Sequence, residues 1–188
     1  MFRRVLALLV VPLFAFAMSP AWADEYSDTI NVFKKAGQSG KMMSSAYGYA
    51  VFPSIGKGGI GVGGAYGKGR VYEKGKYIGD TSMTQVTIGL QLGGQAYSEL
   101  ILFENQAALK NFTAGNFEFG ADASVVAITA AADAKANTTG SSAGASAGKN
   151  DATTAGFYRK GMATFTVAKG GLMYEASIGG QKFNYKAL

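Results

Sequence analysis

The side chains that could do chemistry in this sequence are carboxylates, lysines, arginines and tyrosines, because the 188 residues contain no histidine and no cysteine. Their absence removes the imidazole base, the thiol nucleophile, the Ser-His triad, the usual zinc site and any disulfide framework. A carboxylate pair could still hydrolyse a glycosidic bond, but the acids are sparse. Glu99, set in the apolar run 99–103, is the one acid in an informative context. Its expected role is a strand-edge charge or the partner of a nearby lysine, and a hydrolase built on it is the lesser reading. Gly59-Ile60-Gly61-Val62-Gly63-Gly64 satisfies the G-x-G-x-x-G spacing of a dinucleotide site. That fingerprint needs a preceding strand, a following helix and a later acid. Here Gly67 and Gly69 continue the run and Ile60 and Val62 alternate, so structural glycines within a strand are expected. A P-loop is excluded, since Val62 stands where Lys68 would need glycine and Gly69 follows it in place of Ser or Thr. No enzyme, cofactor or metal site is expected.

The cations are more informative than the acids. Between residues 34 and 76 lie Lys34, Lys35, Lys41, Lys57, Lys68, Arg70, Lys74 and Lys76, against Glu73 alone. From 77 to 134 the balance reverses, with Lys110 facing Asp80, Glu99, Glu104, Glu118, Asp122 and Asp133. From Lys135 onward bases lead again. Segregated positive charge attracts anionic partners: phospholipid headgroups, polyanions or nucleic acid. The stretch Tyr66-Gly67-Lys68-Gly69-Arg70-Val71-Tyr72 could stack bases while holding phosphates. Without an RNP-type motif, and with an export signal, no nucleic acid is expected.

That signal is at the start of the chain. Met1-Phe2-Arg3-Arg4 is followed by an apolar run to Met18 and by Ala21-Trp22-Ala23, which is the secretory order of cationic, apolar and small-residue regions. Residues 1–23 are expected to be removed, leaving a single domain over 24–188. Loss of Arg3 and Arg4 lowers the formal charge from +6 to +4. The expected location is the periplasm or outer membrane, or outside the cell.

The cations must be positioned by the following elements. Acids at Asp24, Glu25 and Asp28, with Tyr26, Ile30 and Phe33 at helical spacing, predict a helix ended by Gly37 or Gly40. A second helical stretch is expected over 41–46, and Lys34, Lys35 and Lys41 would meet a bilayer if these helices lay on one. Val71-Tyr72 and Tyr77-Ile78 flank a glycine-containing loop and predict a hairpin. Over 84–92, Val86, Ile88, Leu90 and Leu92 alternate with Gln85, Thr87 and Gln91, predicting a half-buried antiparallel strand. Residues 99–103 predict a central strand, 105–112 a short helix, and 121–130 either a strand or a helix. The Thr/Ser/Ala/Gly-rich stretch 137–154 predicts a flexible loop. Phe183 and Tyr185 alternate with Lys182, Asn184 and Lys186. The sum is an α+β domain, mostly antiparallel β, built as a curved sheet or barrel-like fold with one or two N-terminal helices.

Two glycine-rich runs also carry a family resemblance. Ala46-Tyr47-Gly48-Tyr49-Ala50-Val51-Phe52-Pro53-Ser54-Ile55-Gly56-Lys57-Gly58-Gly59, followed by Val62-Gly63-Gly64-Ala65-Tyr66-Gly67-Lys68-Gly69-Arg70-Val71, resembles the opening of the SYLF domain. Gly89-Leu90-Gln91-Leu92-Gly93-Gly94-Gln95, Leu100-Ile101-Leu102-Phe103 and Lys169-Gly170-Gly171-Leu172 follow in that family's order. The resemblance covers about 28–185 and implies lipid binding. Eukaryotic members bind phosphoinositides and some bind actin, while bacterial members are commonly exported. The 137–154 stretch departs from the family's tighter segment.

Together these observations predict an exported, non-enzymatic protein that binds anionic phospholipid at a membrane surface. The expected contacts are Lys57, Lys68, Arg70, Lys74 and Lys76, then Arg159, Lys160 and Lys169, with Lys34, Lys35 and Lys41 on the helices. The alternative is a protein-interaction scaffold of the envelope or a host surface using the same basic face.

Overall fold

The computed structural model describes residues 22–89, 94–120, 123, 125–128, 158–169 and 179–188. Residues 1–21 of the expected leader 1–23, and the stretch 137–154, lie outside the described residues. Two N-terminal helices, α1 (Trp22–Lys35) and α2 (Gly37–Ser45), precede β1 (Gly48–Glu73), β2 (Lys76–Gly89) and β3 (Gln95–Phe103). Then come α3 (Gln106–Phe112), β4 (Phe117–Glu118), β5 (Val125–Ile128), β6 (Met162–Lys169) and β7 (Lys182–Ala187). One sheet of order β4-β7-β2-β1-β3-β6-β5 curls into a half-barrel, antiparallel throughout except where β5 runs parallel to β6. The fold is α+β. Of the apolar stretch 121–130, Val125–Ile128 is strand.

The glycine run lies within a strand, as its alternation predicted, and the chain bends there. β1 doubles back near Gly59, whose φ of +147° is open to glycine and strained for other residues. The two arms of β1 then lie against each other. A Cβ at Gly69 would stand 2.6 Å from the Phe52 ring, and the Lys74 amide donates to the Tyr47 carbonyl at 2.9 Å. The first arm pairs with β3 and the second with β2, so the run that resembles a dinucleotide motif is a chain reversal inside a sheet. The predicted hairpin at 71–78 is present with a tighter turn, Lys74-Gly75, both residues at positive φ.

Hydrophobic residues cover both faces of the sheet, but over different areas. Inside the curl, Phe52, Ile55, Val71, Met83, Ile101, Phe103 and Phe183 pack beneath α3, which adds Leu109 and Phe112. That helix starts where the Asn105 side chain accepts from the Ala108 amide at 3.0 Å, an N-cap. On the outer face, α1 and α2 place Phe33 and Met43 over Val51, Leu100, Leu102, Phe165 and Val167. Ser39, buried between the helices, donates to the Phe33 carbonyl at 2.7 Å. β3, flanked by β1 and β6 and covered on both faces, is the central strand that its apolar run predicted.

One strand has its faces reversed relative to expectation. Gln85 is 4% exposed and points into the curl, while Val86 is 75% exposed on the outer face. The register explains this. Met83 pairs with Phe183, both buried, and a one-residue slip that tucked Val86 inside would expel Met83. Gln85 is accommodated by donating from Nε2 to the Gly179 carbonyl at 2.9 Å.

Candidate functional site

The outer face of β1's second arm, β2 and β7 carries side chains in cross-strand rows, because residues paired in antiparallel register share a face. Tyr66 lies opposite Thr84, which lies opposite Lys182. Lys68, Ser82 and Asn184 form the next row, and Arg70, Asp80 and Lys186 the one after. Lys68, Lys182 and Lys186 are exposed and Arg70 is half-buried. The strip ends in the hairpin turn that carries Lys74 and Lys76, both exposed. Of the residues expected from sequence, the fold therefore groups Lys68, Arg70, Lys74 and Lys76 along one hairpin.

Some of these cations have local partners. The Arg70 guanidinium lies 4.2 Å from the Tyr26 ring and 5.1 Å from that of Tyr77, so it clamps α1 to the sheet. Tyr77 donates to Asp80 Oδ1 at 2.6 Å, and burial, aided by that carboxylate, pushes its hydroxyl up to about 12. Lys74 Nζ sits 5.1 Å from the Tyr47 ring, and Lys182 is 3.6 Å from Glu118.

The other expected cations are distributed elsewhere. Lys57 is half-buried across from Gln95, at the end of the β1–β3 pairing. Arg159 and Lys160 occupy the turn before β6, and Lys169, ending β6, bridges Glu25 of α1 at 3.2 Å. Lys34 and Lys35 are exposed in the last turn of α1 and Lys41 is exposed on α2. Lys182 and Lys186 were missed as candidates. Their alternation with Phe183 and Tyr185 put them on the solvent face, but nothing in the sequence placed β7 beside β2.

Glu99 is not the edge charge or lysine partner expected of it. It is fully buried on the inner face of β3, opposite Phe52 and Thr166. Gln181, also fully buried, donates from Nε2 to Glu99 Oε2 at 2.9 Å and to the Tyr97 hydroxyl at 3.3 Å. Burial pushes the Glu99 carboxyl up to about 7, partly opposed by the Gln181 bond. Burial likewise raises Tyr97. Glu99 Oε1, Thr166 Oγ1 and Gln181 Oε1 have no partner among the described residues. Those residues also contain no cluster of three or more His, Cys, Asp or Glu side chains able to hold a metal.

A family model described as Ysc84, Las17-binding protein actin regulator, matches residues 84–186, more than half of the chain. The chain belongs to the Ysc84 (SYLF) family. The match runs from β2 through β7 and so includes Gln85, Val86, Glu99, Gln181, Lys182 and Lys186. The Ysc84 description concerns binding, not a reaction. The chain is also similar to Beta cell expansion factor A of Aeromonas veronii, at 28% identity over 158 residues. That alignment covers 82% of this chain and 51% of the relative, so the chain spans about half the length of the curated relative it matches.

Proposed function

We propose that this protein is an exported, non-enzymatic binder of anionic phospholipid headgroups. The observation that carries this reading is the set of cross-strand rows bringing Lys68, Lys182 and Lys186 onto one sheet face beside Arg70, which α1 half-covers, with Lys74 and Lys76 at its end. Each Lys or Arg near an anionic leaflet contributes about 1 kcal/mol, offset here in part by Asp80 and Glu118 on the same face. Lys57, Arg159, Lys160 and Lys169 lie apart from this face and would make secondary contacts. Lys34, Lys35 and Lys41 engage if the helices also reach the surface. Membership of a family described by binding supports the general role, and the cationic leader supports delivery to the envelope.

The test is co-sedimentation with phosphatidylcholine vesicles containing graded phosphatidylglycerol, at several ionic strengths. Binding that rises with phosphatidylglycerol, falls with salt and drops on charge reversal at Lys68 and Lys186 supports the proposal. Binding indifferent to anionic lipid overturns it. A second reading, a protein partner on the same basic face, is favoured by the family's description as Las17-binding. A pull-down that survives detergent would support that reading over the first.

A further inference from the structure

The large hydrophobic side chains exposed among the described residues are Val32, Val62, Tyr66, Val86 and Leu188. Three of these five, Val62, Tyr66 and Val86, share one end of the outer face just described. Gly64 lies opposite Val86, and Val62 and Tyr66 stand two residues to either side of Gly64 on β1. The three side chains therefore form one diagonal patch across two strands. Val86 is 75% exposed, Val62 66% and Tyr66 52%. Scattered exposed apolar residues need no explanation, but a contiguous group does.

The reversed strand adds to this. β2 turns Gln85 inward, where its amide needs the Gly179 carbonyl, and leaves Val86 outside. Gly64 and Thr84 between the three apolar residues keep the patch flat. Two lysines border it: Lys68 lies two residues beyond Tyr66 on β1, and Lys182, 3.6 Å from Glu118, is in the row of Tyr66 and Thr84. An apolar centre with a tyrosine at its margin and lysines at its rim matches the interfacial zone of an anionic bilayer. Apolar groups enter the acyl boundary there, the phenol sits at headgroup level and lysine stems snorkel to phosphate.

We infer that Val62, Val86 and Tyr66 form an apolar seat that enters the interface of an anionic bilayer while Lys68 and Lys182 at its rim, and Lys186 two rows farther along β7, hold the surrounding headgroups. This inference rests on the membrane reading above and adds insertion to it. Attachment then has two parts, a cationic part that salt screens and an apolar part that salt leaves intact.

The experiment uses phosphatidylglycerol–phosphatidylcholine vesicles and two variants of the full chain. Val62→Thr with Val86→Thr keeps branched, strand-compatible shapes at exposed positions, and unchanged urea midpoints verify the fold. Lys68→Gln with Lys182→Gln removes rim charge. The wild type should keep measurable binding in high salt. The valine pair should lose affinity about tenfold and lose that salt-resistant fraction, while the lysine pair should lose mainly the salt-sensitive part. A valine variant that binds like wild type at every salt concentration, beside a weakened lysine variant, overturns insertion and leaves the headgroup reading standing. Loss in the valine pair alone keeps the seat and overturns the headgroup reading. No loss in either overturns both.

Discussion

Replacing Glu99 by glutamine should make the protein more stable at alkaline pH, although it deletes a carboxylate that accepts a hydrogen bond. The folded carboxyl titrates at about 7 against an ordinary value of 4.5 because it is fully buried, with the Gln181 amide only partly opposing the shift. A folded value above the unfolded one means that the native state binds the proton more tightly. The favourable contribution is complete below about 4.5 and is lost as the pH rises through 7. Over that window the loss amounts to about 3 kcal/mol. Glutamine has the same shape and no charge, and its side-chain carbonyl can keep accepting from Gln181 Nε2. Stability should therefore be nearly equal for the two proteins near pH 4.5. Near pH 8 the variant should lead by up to about 3 kcal/mol, or roughly 10 °C in melting temperature for a domain of this size. Urea or thermal melts of both proteins between pH 4.5 and 8 measure this difference directly, and other titrating groups cancel in the comparison. A flat difference across that range, or a variant less stable at pH 8, would refute the assignment of Glu99 as a carboxyl held largely neutral by burial.

Three further outcomes follow from the packing. Gly69→Val would drive its side chain into the Phe52 ring and the Val51 carbonyl, so the urea midpoint should fall by the equivalent of about 2 kcal/mol or more; an unchanged midpoint would mean that the arms of β1 are not in contact there. Arg70→Ala removes the cation held between Tyr26 and Tyr77, which should cost about 1 kcal/mol and speed amide exchange in α1 more than in β3; equal protection of α1 in both proteins would contradict the clamp. Asn105→Ala deletes the cap of α3 and should cost about 1 kcal/mol by denaturant melts, with Asn105→Ser or Asn105→Asp recovering most of it.

The elements legible in the sequence are those whose signals are local. Acids around Tyr26, with Ile30 and Phe33 at helical spacing, marked α1, the stretch 105–112 was read as the helix that became α3, and the continuous apolar run of β3 marked a strand covered on both faces. What could not be read depended on register between distant segments. Val86 and Gln85 alternate correctly for a half-buried strand, but which of them faces inward is decided by Met83 meeting Phe183, a hundred residues away. The same pairing carries Lys182 and Lys186 of β7 beside Lys68 and Arg70, and so adds to the predicted cations of the β1–β2 hairpin two that were not predicted. Glu99 was noticed for its apolar neighbours, yet its partner Gln181 arrives from a separate strand end. The glycine run was legible as strand from the alternation of Ile60 and Val62, but the reversal that Gly59 makes at positive φ was not.

The central claim is that the outer face of β1, β2 and β7 meets the membrane. Because the chain has no cysteine, a single one can be introduced for labelling at Thr84, exposed in the middle of that face, or at Asn111, exposed on α3, which packs against the opposite, inner face of the sheet. An environment-sensitive fluorophore at position 84 should shift to the blue, and become shielded from an aqueous quencher, when vesicles containing phosphatidylglycerol are added, while the same label at 111 stays unchanged. A label at 111 that responds while the one at 84 does not would contradict the account.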